Sequence, residues 1–472
     1  MQIINRFRSA WPGRVVPALA LAIGLALALA PALRAMERPP KLVYQIATLP
    51  NGLTVVLSED HSTPIVNLQL WYHVGSKDEK PGRTGFAHLF EHLMFKGSKN
   101  VEPEQHTSVI SSIGGHSNAY TTQDTTVFWE TVPSQYLPLA LWLEADRMAT
   151  LRIDQDTFTR EREVVKEERR MRIDNQPYGS LSELIYENAF TVSPYRHPTI
   201  GSMTDLEAAS VDDVRDFYHT YYVPKNATLV LVGDFDPAQA MQFVTQYLDR
   251  VPPSSRPIPR DYPVDPPQTQ EKRVTLHEDW PLPVVAVAYH ITYDGDPDSY
   301  PLHIISKVLS DGDSSRIYQD LVYKKGIALA AFGGGDIMEE PSLFYAVAIV
   351  QPGHTTDEVA SALIDEFDRL KTDGITAHEL DRAKNQFARD YIIGRETDQQ
   401  KASQLAHAVV IHHDVTTADG EFDIFMHVTR GDVQRVAQKY FTTQNRTVLT
   451  ILPSGAPTPT PAKTGPGGAH RR

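Results

Sequence analysis

The stretch LSEDHSTPIVNLQLWYHVGS, Leu57–Ser76, has a second version 219 positions later, LHEDWPLPVVAVAYHITYDG, Leu276–Gly295. Leu57, Glu59, Asp60, Pro64 and Val66 align with Leu276, Glu278, Asp279, Pro283 and Val285. The same offset returns downstream, where YYVPKNATLVLV from Tyr221 matches YFTTQNRTVLTI from Tyr440, pairing Tyr221 with Tyr440 and Asn226 with Asn445. One offset bracketing two comparable spans marks a duplicated domain. Between the copies, PPSSRPIPRDYPVDPPQTQEKR (252–273) carries too much proline for helix or sheet and reads as an extended, stiff linker. The expected layout is a first domain over 41–251, this linker over 252–273, a second domain over 274–453 and a Pro/Gly-rich disordered tail over 454–472.

Within the first copy, β-branched or alternating runs at Leu53–Leu57, Ile65–Val74, Thr125–Val132 and Thr228–Val232 predict strands. Helical periodicity covers Phe86–Phe95, Ser134–Ala149, Phe158–Ile173, Val211–Tyr221 and Pro237–Leu248. Strands and helices mix without a regular βαβ alternation, which favours an α+β layer fold over a doubly wound sheet. A chain of 472 residues with 41% apolar composition has enough material for two cores.

The formal charge of −14, with no basic stripe carrying interleaved aromatics, excludes nucleic-acid binding. Arg6, Arg8 and Arg14 precede an apolar run from Val15 to Ala32, with Ala32 and Ala35 as candidate cleavage positions. This is the layout of a signal peptide over 1–35, and it implies export, with the bacterial periplasm as the expected compartment. The alternative is an uncleaved anchor, the only case in which membrane contact is expected. The sequence contains no cysteine, so any metal must be held by His, Asp or Glu.

The segment TGFAHLFEHLMFKGS, Thr84–Ser98, places His88, Glu91 and His92 within one turn of an otherwise apolar helix. One turn apart, His88 and His92 present their imidazoles to the same side, a common geometry for a shared divalent ion, and Glu91 projects nearby. Imidazole suits zinc, which lowers the pKa of bound water to about 7, so an adjacent carboxylate can act as general base. The competing reading is a core helix with satisfied histidines. H-x-x-E-H is the inverse of H-E-x-x-H, and a third ligand is then expected from a downstream glutamate. The candidate stretch TREREVVKEERRMRIDNQPYG (159–179) is by itself a salt-bridged helix face. Glu161 and Glu168 nevertheless lie two turns apart on one side of it, beside the apolar pair Val164 and Val165. Composition alone does not choose between Glu167 and Glu168.

These residues resemble the pitrilysin and insulysin zinc metallopeptidases, and particularly the branch similar to the mitochondrial processing peptidase. The matching signatures are GFAHLFEHLMFKGS, NAYTTQDTTVFWE from Asn118, the set Glu161, Arg162, Val165 and Glu168, HPTIGSMTDL from His197, and YYVPKNATLVLVGDFDP from Tyr221. The resemblance implies two similar α+β roll domains closing like a clamshell around a peptide substrate. It implies His88, His92 and Glu168 as ligands of one zinc ion per chain, Glu91 as general base and Glu161 as a carboxylate orienting the site. It also implies that Asn118, Ala119 and Tyr120 lie on an edge strand that pairs with substrate backbone.

Where the offset places the second copy's ligands, the chain reads HIISKVLSDG, His303–Gly312, with no usable ligand set. The family's second half commonly supplies an Arg and a Tyr that hold the substrate carbonyl. In GDSSRIYQDLVYKKGIALAAF, Gly312–Phe332, those positions fall on Val322 and Leu329, and Arg316, Tyr318 and Tyr323 sit out of register. The expectation is therefore a zinc endopeptidase subunit with a paralogous partner that carries the Arg/Tyr pair and no zinc motif. The alternatives are a structural subunit that keeps the fold without activity, and a self-sufficient homo-oligomeric peptidase.

Overall fold

The computed structural model describes residues 38–455; the expected leader over 1–35, and the expected tail beyond residue 455, lie outside the described residues. Strands β1 (Gln45–Thr48), β2 (Thr54–Glu59), β3 (Ile65–Tyr72), β4 (His116–Thr121), β5 (Thr126–Pro133) and β6 (Ala227–Gly233) form a sheet in the order β1-β2-β6-β3-β5-β4. Strands β7 (Lys272–Glu278), β8 (Val284–His290), β9 (Ala328–Gly335), β10 (Leu343–Val350) and β11 (Arg446–Pro453) form a second sheet in the order β7-β11-β8-β10-β9. Each neighbour relation of the second sheet repeats one of the first, including the parallel pairing of β2 with β6 and of β7 with β11. The other shared pairs are antiparallel in both. The Val211–Tyr221 helix recurs as Arg430–Tyr440. After each, an asparagine ties the turn alike: Asn226 donates its side-chain amide to the carbonyls of His73 and Tyr221, and Asn445 to those of His290 and Tyr440. The chain is thus a two-domain α+β protein.

The central strands are buried along nearly their whole length, which is why ATLVLVG and VVAVAYH read as unbroken apolar runs. Alternate residues serve two different cores. In β6, Leu229 and Leu231 face the helices of the first half, while Val230 and Val232 face the opposite way, with Val56, Trp71 and Val127. That second face is covered by Ala402, Leu405 and Ala406 of the Asp398–Val410 helix, which belongs to the second half. The exchange is reciprocal. The Leu181–Ala189 helix of the first half lays Leu181, Ile185, Tyr186 and Ala189 on Val284, Ala286, Leu449 and Ile451 of the second sheet.

Polar contacts reinforce the seam. Gln69 donates to the carbonyl of Gln399 at 2.8 Å, and Glu339 of the second half accepts from His73 at 2.7 Å and Lys77 at 2.6 Å. The Pro-rich linker is fastened rather than free-standing. Arg260 and Tyr262 both donate to Asp78, and Asp265 accepts from the backbone amides of Thr191, Val192 and Ser193. Its last two residues, Lys272 and Arg273, already belong to β7, because β11 offers them a parallel partner. Only one of the two valines expected to pack the Gln155–Arg169 helix inward does so: Val165 is buried, whereas Val164 is 48% exposed. Among the described residues no helix is long and apolar enough to cross a membrane.

Two outcomes follow from the seam. Ile185→Ala removes a side chain buried between the halves and is expected to cost about 2–5 kcal/mol, read as a lower denaturant midpoint. Burial alone would raise the Glu339 pKa, but His73 and Lys77 outweigh it and hold it at about 2. Its folded pKa lies below the unfolded value, so its contribution is present above about pH 4.5 and is lost as pH falls toward 2. Denaturant titrations between pH 5 and pH 2 are expected to fall less steeply for Glu339→Gln than for the parent chain.

Candidate metal centre

The Phe86–Leu93 helix buries Phe86, Ala87, Leu89, Phe90 and Leu93 in the first core and turns His88, Glu91 and His92 toward a cleft. Its start is fixed by two devices. Gly85 adopts φ 91°, and a Cβ there would meet the Ile200 carbonyl at 2.6 Å, so the chain passes close against the 200–201 turn only as glycine. The first turn is capped by Glu79, a fully buried carboxylate accepting from the amides of Gly85 at 2.8 Å and Ala87 at 2.7 Å. Burial holds the Glu79 pKa well above its ordinary value.

The Gln155–Arg169 helix begins at Asp154, whose side chain accepts from the Thr157 amide at 2.8 Å. It brings Glu161 and Glu168 against the histidines. Glu168 Oε2 lies 3.2 Å from His92 Nε2 and 3.7 Å from His88 Nε2. Glu167 points away, is 59% exposed and pairs with Arg170. The other oxygen of Glu168 pairs with Arg172 at 2.6 Å, and Glu161 Oε2 lies 3.8 Å from His92 Nδ1. The helix does not continue to Ile173 as the periodicity predicts: Arg170–Asp174 widens into a π turn, a local feature frequent at functional sites. Arg169, just before that turn, donates to Glu183 at 2.8 and 2.9 Å and to the Gly201 carbonyl at 2.7 Å, which locks the helix end to the same turn that abuts Gly85.

Glu91 Oε2 accepts from Thr121 Oγ1 at 2.7 Å, and burial raises its pKa despite that hydrogen bond. Burial likewise lowers the His88 pKa to about 4, so its imidazole is neutral and ligand-competent through the neutral pH range. Glu161 is held below its ordinary pKa: burial opposes this, but His92 and Lys96 prevail. Thr121 ends β4, which pairs with β5 on one side and, among the described residues, with no strand on the other. Asn118, Ala119 and Tyr120 lie along this edge and line the cleft, a space of about 610 Å³, together with His88, Glu91 and Glu168.

His88, His92 and Glu168 offer one ligand atom each, all within 4.8 Å of one another. Two imidazoles and a carboxylate are a catalytic zinc donor set that leaves a fourth position open. The 3.2 Å separation matches an edge of a tetrahedron with bonds of about 2.0 Å, so the residues fit the ion. Residue-level reading missed Glu79, Thr121, Arg169 and Arg172. Thr121 lies inside the quoted NAYTTQD signature, whereas Glu79 carries no local pattern that marks it.

Residues 54–203 match the family described as Insulinase (Peptidase family M16), and residues 208–387 match Peptidase M16 inactive domain. The chain is 30% identical over 438 residues to the zinc protease PqqE of Helicobacter pylori (strain ATCC 700392 / 26695), spanning 92% of this chain and 98% of that protein. The crystal structure of a protease from Helicobacter pylori has the same fold at TM-score 0.84 and 30% identity, covering 87% of this chain and 100% of that one. The periplasmic protease PqqL of Escherichia coli shares the fold at TM-score 0.71 and 18% identity, covering 88% of this chain but 48% of PqqL. The chain belongs to the M16 peptidase family, of the pitrilysin and insulinase type.

If Glu161 orients His92, Glu161→Ala is expected to weaken zinc affinity by about 10–100-fold while leaving the fold intact. Competition with a zinc chelator, read beside the circular dichroism of the same sample, checks both halves of that expectation.

Proposed function

We propose that this chain is a zinc-dependent endopeptidase that cleaves extended, unfolded peptides or leader segments, acting as the zinc-bearing subunit of a two-chain enzyme. The observation that carries the reading is the convergence of His88, His92 and Glu168 beside Glu91 and the unpaired edge of β4. Zinc held by those three residues supplies a Lewis acid for the scissile carbonyl and for water. The Asn118–Tyr120 edge takes the peptide as an added strand, which selects unfolded substrates because main-chain pairing needs an extended backbone. Glu91, oriented by Thr121, accepts a proton from the attacking water as the C–O bond forms and returns it to the leaving nitrogen as the C–N bond breaks.

Among the described residues, those that line this cleft all belong to the first half. Arg316 is engaged, donating to Glu379 at 2.7 and 2.8 Å and to the Gly374 carbonyl at 3.0 Å. Val322 packs on the second core, Leu329 is a half-exposed hydrocarbon, and neither Tyr318 nor Tyr323 lines the cleft. That arrangement supports a paralogous partner that brings the carbonyl-holding Arg and Tyr. Export is part of the same reading, in keeping with the leader-like N-terminus and a relative called periplasmic.

The test is cleavage of unstructured fluorogenic peptides by the zinc-loaded chain, alone and with its paralogue. Each missing oxyanion donor is worth about 100–1000-fold, so the chain alone is expected to be slower by at least that factor. Glu91→Gln is expected to abolish cleavage by the pair without loss of zinc. Full Glu91-dependent activity in the isolated chain would overturn the two-chain reading. A zinc-loaded pair that cleaves nothing would overturn the peptidase reading itself.

A further inference from the structure

A second cluster of metal-ligating side chains lies in the half that lacks the H-x-x-E-H motif. Asp294 follows β8 and is pinned by its backbone amide, which donates to the Met338 carbonyl at 2.7 Å. Its two carboxylate oxygens face two histidines: Oδ2 is 3.3 Å from His407 Nε2, and Oδ1 is 3.3 Å from His412 Nε2. The three donors lie within 4.8 Å of one another, and the imidazole centroids are 5.1 Å apart.

His412 Nδ1 lies 2.9 Å from the Thr417 hydroxyl, which in turn lies 2.8 Å from the Asp414 carbonyl. The His412 side chain is 5% exposed, and its buried Nε2, 3.3 Å from Asp294 Oδ1, has no partner in hydrogen-bonding geometry. A cation between the three donors satisfies all of them, and 3.3 Å is the edge of a tetrahedron with bonds of about 2.0 Å. A second-sphere hydrogen bond from the far ring nitrogen, here to Thr417, is the usual way a ligating histidine is oriented.

We propose that Asp294, His407 and His412 form a second divalent-metal site, for an ion that favours imidazole with carboxylate, as zinc does. The ion reaches it through a cavity of about 320 Å³ lined by Asp294, His303, His407 and Glu421. Lys307 also borders that cavity, but its charge is met by Asp311 and Asp390, each at 2.8 Å. The site is structural. His407 lies on the Asp398–Val410 helix that covers the first sheet, so the ion fastens that helix to the loop leaving β8 of the second sheet.

The site is independent of the peptidase reading, and metal content separates the two. The exported chain is stripped with chelator, reloaded with zinc, dialysed and measured by emission spectrometry. The parent is expected to hold close to two zinc ions per chain, and both His407→Ala/His412→Ala and His88→Ala/His92→Ala close to one. Equal zinc in the parent and in His407→Ala/His412→Ala would overturn the second site, whatever the H-x-x-E-H variant holds. Crystals of the unmutated chain grown with zinc provide a test free of folding defects. An anomalous peak between Asp294, His407 and His412 at the zinc edge is expected, and its absence would overturn the proposal.

Discussion

Each sheet in this protein has one face that its own half does not cover. The first sheet presents Val56, Trp71, Val127, Val230 and Val232 to a helix encoded far downstream, and the second presents Val284, Ala286, Leu449 and Ile451 to a helix encoded upstream. A sheet with both faces apolar is stable only when both are buried, so the two crossings are a condition of folding as much as a docking preference. The halves are related by duplication, yet they are held as one body by what each lends the other.

The candidate centre inherits its geometry from this exchange. Glu168 lies one residue before the Arg169 clamp, the π turn comes next, and the chain then enters the Leu181–Ala189 helix that is seated on the second sheet. The carboxylate facing His88 and His92 is therefore placed from both directions, by its own helix in the first core and by the segment anchored in the other half. Gly85, Gly201 and Arg169 transmit that placement to the start of the histidine helix through direct contact.

Much of this was legible in the sequence where a pattern is local and periodic. The 219-position offset foretold the two matching sheets, and the apolar run at Thr228–Val232 and the helical stretch at Val211–Tyr221 fall within or on observed elements. The pairing of His88 with His92 follows from helical spacing alone. Between Glu167 and Glu168 periodicity was silent, since the difference depends on how the helix is rotated against its neighbour. Glu79, Arg169 and the Asp294 cluster were not legible, because their partners are brought together only by tertiary packing. The expectation of a continuous helix to Ile173 failed because local propensity cannot register the Arg169 and Glu183 contacts at the point where the ladder widens.

The order in which the chain is made gives the interleaving a further consequence. The first half, with its motif helix and most of its core, leaves the ribosome long before residues 398–410 exist. Until then Val56, Trp71, Val127, Val230 and Val232 lack the helix that covers them, and the Leu181–Ala189 helix has no sheet to rest on. Apolar surface left exposed during synthesis is prone to self-association until it is covered. The segment that follows Glu168 gains its seat on the second sheet only once β8 and β11 have been made, so the placement of that carboxylate is among the last steps of assembly.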